Sequence, residues 1–207
     1  MTIGRFGHTV YRLIQLYVGL FLFGFATAMM LQAKVGVDPW TVFAEGLSLN
    51  TGLAVGWWVV IIGLVVLVLW IPLGQRPGFG TIFNALLVGP SMEVGLLVID
   101  TPGELHHRWI LFLAGVMMLA ISSGLYIGAR FGPGPRDGLM TGAHAKFGWP
   151  IWIVRTTIEV TVLIIGFILG GDFGLGTIVF ALAIGPLVHR TIPAWTIPPY
   201  SPKETGR

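Results

Sequence analysis

Arg136 and Asp137 stand side by side in "GPGPRDG", and Asp38 lies in "GVDPW", the segment at the equivalent place. A proline followed by such residues reads as a helix start. Asp38 is suited to the N-cap and Pro39 to the first helical position. The amides and positive dipole end of such a start favour an anion. Arg136 adds charge there, and Asp137 can orient Arg136 or meet a cation. A second set of residues interrupts apolar runs. Glu93 follows Pro90 by three residues, and His189 follows Pro186 by three. Arg155 and Glu159 are four apart, share one helix face and can pair. A charge inside an apolar span is costly and marks a functional site by default. Glu93, without a local partner, is the candidate proton-coupling carboxylate. Gly89-Pro90 and Gly185-Pro186 free polar backbone, because proline removes a donor and clashes with the carbonyl four residues back. With Asn84 in the same run, the candidate substrate-binding set is Arg136, Asp137, Asp38, Asn84, Gly89, Pro90, Gly185 and Pro186. Plainer roles stand beside these: helix kinks and close packing for the Gly-Pro pairs, bridging between helices for Asn84, and snorkelling for Arg155 with Glu159 as its partner.

Other chemistries lack their residues. There is no cysteine, hence no disulfide, thiolate site or Cys nucleophile. His106-His107 is one pair without further ligand spacing. Ser122-Ser123 has no His or Asp in a recognisable arrangement, and "GFGT" lacks the phosphate-loop pattern. The expectation is no enzyme, no cofactor, no metal and no nucleic-acid partner.

The elements that must position these residues are membrane spans. Of 207 residues, 55% are hydrophobic and 10% charged, with a mean hydropathy of +0.84. Soluble domains carry about 25% charged residues, so this is a polytopic all-α membrane protein. About six spans are expected, near 13–33, 56–73, 79–99, 109–129, 150–170 and 174–192. Tryptophans near several ends fit headgroup positions. The first span is read as retained, since no small-residue cleavage site follows it. With both termini inside, ten of the twelve Lys and Arg fall on the cytoplasmic side and only Lys34 and Arg108 outside. Residues 1–192 form one transmembrane domain, and the proline-rich 193–207 is expected as a disordered cytoplasmic tail.

"FGTIFNALLVGP" (79–90) returns as "LGTIVFALAIGP" (175–186). A shift of 96 aligns 12–93 with 108–189 without a gap, with 21 of 82 pairs identical, ten of them Gly or Pro. Shared backbone-breaking positions imply shared backbone geometry. Three spans per repeat, an odd number, make the halves inverted about an axis in the membrane plane, as in secondary transporters with sites beside interrupted helices. Each repeat adds a short helix, in 36–52 and 132–148. Two readings stay open for these: half-helices dipping into the bilayer, or helices lying flat at its surface.

"GLYIGARFGPGPRDGLMTG" and "FGLGTIVFALAIGP", with "VGVDPWTVFAEGLS" and "GFGTIFNALLVGP", resemble the YczE-like bacterial integral membrane proteins from about residue 10 to residue 192. The resemblance implies a bacterial inner-membrane protein and carries no biochemical activity. It also implies an acidic residue where Thr41 stands, the mate of Asp137, so that this chain keeps one of two symmetric carboxylates.

The expected function is a small secondary transporter or facilitator for a small anionic or zwitterionic molecule, with alternating access and proton coupling through Glu93. The rival is a non-transporting membrane partner or substrate-capture subunit. Membrane lipids, a small-molecule substrate, and a second copy or partner membrane protein complete the expected contacts.

Overall fold

The computed structural model describes residues 5–200, and these form eight helices and no strand. They are α1 (Arg5–Ala33), α2 (Pro39–Thr51), α3 (Val55–Trp70), α4 (Phe79–Val98), α5 (Leu105–Gly128), α6 (Pro135–Phe147), α7 (Ile151–Ile168) and α8 (Leu175–Trp195). The 96-residue shift carries α2 onto α6 to the residue, and carries the starts of α3 and α4 onto those of α7 and α8.

The repeated punctuation explains this register. Pro39 and Pro135 open the short helices, and Gly52 and Gly148, at φ 74° and 70°, close them in the left-handed region that glycine enters freely. Before each short helix the chain turns through a second positive-φ pair, Lys34 with Gly36 and Arg130 with Gly132. These turns interlock across the halves. Gly80 N–H donates to the Phe131 carbonyl at 2.9 Å, and its mate Gly176 donates to Val35 at 2.6 Å. A side chain at Gly36 would collide with Thr177, and one at Gly132 with Thr81.

Contacts along the helices give their directions. Tyr17 meets Phe83, Gly24 packs on Ser91 and Met92, and Gly95 packs on Phe25 and Ala28, so α1 and α4 run parallel. Gly19 lies against Ser122–Tyr126 and Gly115 against Ala26–Met30, so α1 and α5 run antiparallel. Helices α5 and α8 repeat the parallel pairing through Gly124–Thr191 and Gly128–Trp195. Small residues let these backbones approach closely, as packing in lipid requires. The start of α1 and the residues after α8 meet where His8 Nε2 lies 3.1 Å from the Pro198 carbonyl, so both ends of the described chain share one end of the bundle.

Three expectations change. Among the described residues, four helices are long and apolar enough to cross a bilayer (α1, α4, α5 and α8), or five if α2 and α3, bent by 117°, count as one broken span. The expected spans 56–73 and 150–170 are the shorter helices α3, 16 residues, and α7, 18 residues. A span needs about 17–25 residues, so α3 alone falls short of crossing a bilayer and α7 is at the lower limit. Second, the Gly-Pro pairs do not interrupt their spans. Helices α4 and α8 run through Pro90 and Pro186, because neighbouring turns hold the helix on either side. Third, residues 193–200 are built into the fold. Helix α8 continues to Trp195, Ile197 is buried, and its N–H bonds the Gly128 carbonyl at 3.0 Å. Residues 201–207 of the expected tail lie outside the described residues.

Candidate functional site

The short helices begin inside the protein and end at its surface. In α2 the buried residues run from Pro39 to Gly46, while Leu49 is exposed; α6 is buried at Pro135, Gly138, Met140 and Gly142 and exposed from His144. Their first turns meet at a cavity of about 210 Å³ bounded by α1 to α8.

Asp38 does three things there. Its carboxylate accepts the N–H groups of Trp40 and Thr41, both at 3.2 Å, and the Thr41 hydroxyl. It also pairs with Arg136 across the two repeats, Oδ1 to NH1 at 3.3 Å. The Arg136 guanidinium lies 5.1 Å from the Trp40 ring centre, a cation–π contact between equivalent positions of the two halves. Trp40 Nε1 is buried with no partner among the described residues. The α6 start differs. Gly134 replaces the capping carboxylate and offers no side-chain cap. Around it stand the Tyr126 hydroxyl, the Asn84 amide and Asp137, with Tyr126 donating to Asp137 Oδ2 at 3.1 Å. Arg155 and Glu159 line the same cavity, paired at 3.0 Å. Phe23, Leu119, Phe180, Ile184 and Val188 supply apolar wall.

Of the residues singled out from the sequence, Arg136, Asp137, Asp38, Asn84 and Gly185 line this cavity, whereas Gly89, Pro90, Pro186 and Glu93 do not. Gly89 instead packs against the Gly56 backbone, and Glu93 Oε1 accepts the Gly56 N–H at 2.5 Å. Glu93 thereby caps the first turn of α3, whose N-cap Ala54 cannot.

The same comparison exposes an asymmetry. Helices α3 and α4 pack closely, through Gly56–Gly89 and Gly63–Ala85. Their equivalents α7 and α8 do not pack in this way, and a side chain at Gly185 would meet nothing within 4 Å. The residue equivalent to Gly56 is Trp152, which is largely exposed. The wall of the cavity formed by α7 and α8 is therefore parted.

Two further groups escaped the sequence reading. Lys34 pairs with Glu45 at 3.1 Å, and Glu45 Oε2 accepts the Asp172 N–H at 2.7 Å. Burial, and next the Glu45 carboxylate, raise the Asp172 carboxyl above its ordinary range against the pull of Lys34. Glu45 and Asp172 are 127 residues apart, so no local spacing signals them. At the exposed start of α5, Glu104 joins His106 and His107, its carboxylate 3.1 Å from His106 Nδ1.

The fold and cavity define a multi-pass, all-helical membrane protein with an interior polar site. The chain belongs to a family of unknown function, DUF6198, whose model matches residues 10–193. It is 34% identical over 174 residues to an "Uncharacterized protein" of Haemophilus influenzae, covering 84% of this chain and 80% of the relative. It is 31% identical over 180 residues to the "Uncharacterized membrane protein YczE" of Bacillus subtilis, covering 86% and 83%. A third relative, the "Uncharacterized protein YyaS" of Bacillus subtilis, is 24% identical over 85% of this chain and 90% of its own. No solved structure matches the chain. The YczE-like resemblance of the sequence thus stands.

Proposed function

We propose that this protein is a small secondary transporter or facilitator of the bacterial inner membrane, with both termini cytoplasmic, that carries a small polar molecule by alternating access. One observation supports this above others: two helix pairs built on one pattern are packed differently, α3–α4 closed and α7–α8 parted beside the cavity. In an inverted repeat that difference is what one access state requires, and its exchange between the halves is the other state. The inverted relation is supported by chain direction. Because α1 and α4 are parallel, the segment between them must return across the bundle, giving each half an odd number of passages. The reciprocal bonds Gly80–Phe131 and Gly176–Val35 suit a two-fold relation. The ten-to-two Lys and Arg split supports the orientation. Proton coupling is assigned to Glu93 as a latch: a proton on its carboxylate weakens the bond to Gly56 N–H and loosens α3 from α4.

Purified protein in proteoliposomes tests the proposal. Solute flux without any added protein supports it. Binding at the cavity with no flux under any gradient would turn the reading to a substrate-capture subunit of a larger assembly.

A further inference from the structure

The charges around the cavity do not balance, and the imbalance selects a solute. Asp38, Asp137 and Glu159 are negative, and Arg136 and Arg155 positive. Each arginine already has its own carboxylate, Arg136 with Asp38 and Arg155 with Glu159. The positive start of α2 is likewise filled, by Asp38, and the start of α6, which has no side-chain cap, carries Asp137 in its first turn. An anion would have to displace one of these internal carboxylates. Asp137 is left over: its direct hydrogen-bond partner is the uncharged Tyr126 hydroxyl, and the nearby cations Arg155 and Arg136 attract it only from beyond ion-pair distance, each bonded to its own carboxylate. Asn84, beside the same glycine, shows no hydrogen bond of its own among the described residues and can accept or donate.

We infer that the cavity binds a small organic ammonium, with Asp137 as its counter-ion, the Asn84 carbonyl as a second acceptor, and Phe23, Phe180 and Ile184 around its apolar part. The inference rests on the transporter reading only in taking this cavity as the solute site, and it sharpens the expected substrate from an anion or zwitterion to a molecule that must carry an amine. A carboxylate on the same molecule is permitted but is not what the site selects. A half-buried carboxylate whose direct donor is uncharged bears a desolvation cost, so an incoming ammonium supplies charge-assisted bonds.

The test is thermal stability of the purified full-length protein in detergent, titrated with three probes of matched length: butylammonium, 4-aminobutyrate and butyrate, at constant ionic strength. Butylammonium and 4-aminobutyrate should raise the Tm at tens of millimolar or below, and butyrate should not. Asp137→Asn should weaken the apparent affinity for butylammonium by about tenfold or more, with Glu104→Gln, at the exposed start of α5, unchanged. If Asp137→Asn does not fold, the three probes on the unaltered protein decide. Stabilisation by butyrate alone, no shift from either amine, or an unweakened shift in Asp137→Asn overturns the inference. Flux is a separate readout. Amine binding without flux sinks the transporter reading and leaves the ammonium site standing, while flux of butyrate without amine binding does the reverse.

Discussion

Asp38 and Arg136 join the two repeats by an ion pair at 3.3 Å, yet their dependence on each other is unequal. Asp38 also accepts two backbone amides and the Thr41 hydroxyl, whereas Arg136 has the ring of Trp40 and no further hydrogen bond among the described residues. Asp38→Ala therefore removes a helix cap as well as the pair and leaves the half-buried Arg136 without its counter-charge. Its cost should exceed the 0.5–2 kcal/mol, or about 1 kcal/mol typically, of a lost cap. Arg136→Ala leaves Asp38 three acceptor contacts and should cost less. Unfolding of both variants in the same detergent, followed by circular dichroism, gives the order.

Gly89 and Gly185 occupy matching places but opposite circumstances. A methyl at Gly89 meets the Gly56 backbone, so Gly89→Ala should destabilise by about 1–3 kcal/mol, the usual cost of overpacking. Gly185→Ala meets nothing and should leave the Tm unchanged. Gly185→Val should fold normally and abolish flux, because the side chain stands where α8 must receive α7. Full flux in Gly185→Val would remove the exchange of packing from the mechanism.

The absence of cysteine gives a clean background for trapping that exchange. Trp152→Cys with Gly185→Cys, the counterparts of touching Gly56 and Gly89, should form a disulfide under oxidation in membranes and stop flux until reduced. No cross-link in membranes that show flux would mean that α7 and α8 never close.

For Glu93, the glutamine variant keeps an acceptor for Gly56 N–H but cannot take up a proton. Glu93→Gln should retain binding at the cavity and lose flux driven by a pH gradient. Unchanged pH-driven flux would free Glu93 from any coupling role.

Asp172 gives a pH dependence of stability with a definite sign. Its carboxyl is raised in the folded protein, so folding is favoured while Asp172 is protonated, and that contribution fades as pH rises from the ordinary carboxylate range through the raised folded value. At neutral pH the ionised group opposes folding beside Glu45, offset in part by Lys34. Asp172→Asn should raise the Tm at pH 7 and lose that advantage in acid, with the difference measured across pH 3 to 8.

The sequence made the repeat legible because it is written in glycine and proline, whose backbone demands survive divergence. Pro39 and Pro135 mark the starts of α2 and α6 within the segments 36–52 and 132–148. Charge near the helix starts found Arg136, Asp137 and Asp38 for the same reason, since they lie within the marked turns. Tyr126, Trp40 and Glu45 were not legible, because their partners lie in other helices or in the turns between them, and an aromatic in an apolar run carries no mark of the face it takes. Glu93 was legible as unusual but not as a cap for α3, since that depends on how closely Gly56 and Gly89 approach. The length of α3 was overestimated because apolar content continues through Pro72 and Gly74, where the helix has already ended.

The crossed pair of backbone bonds, Gly80 to Phe131 and Gly176 to Val35, bears on how the chain is made. Each half supplies the acceptor that the other half needs. While the first four helices are emerging from the ribosome, the Gly80 amide and the Val35 carbonyl have no partners, because both belong to residues not yet synthesised. The insertion machinery, or water held beside it, must satisfy them until α5 and then α8 arrive. The turn that precedes α2 is thus closed only when the start of α8 reaches it.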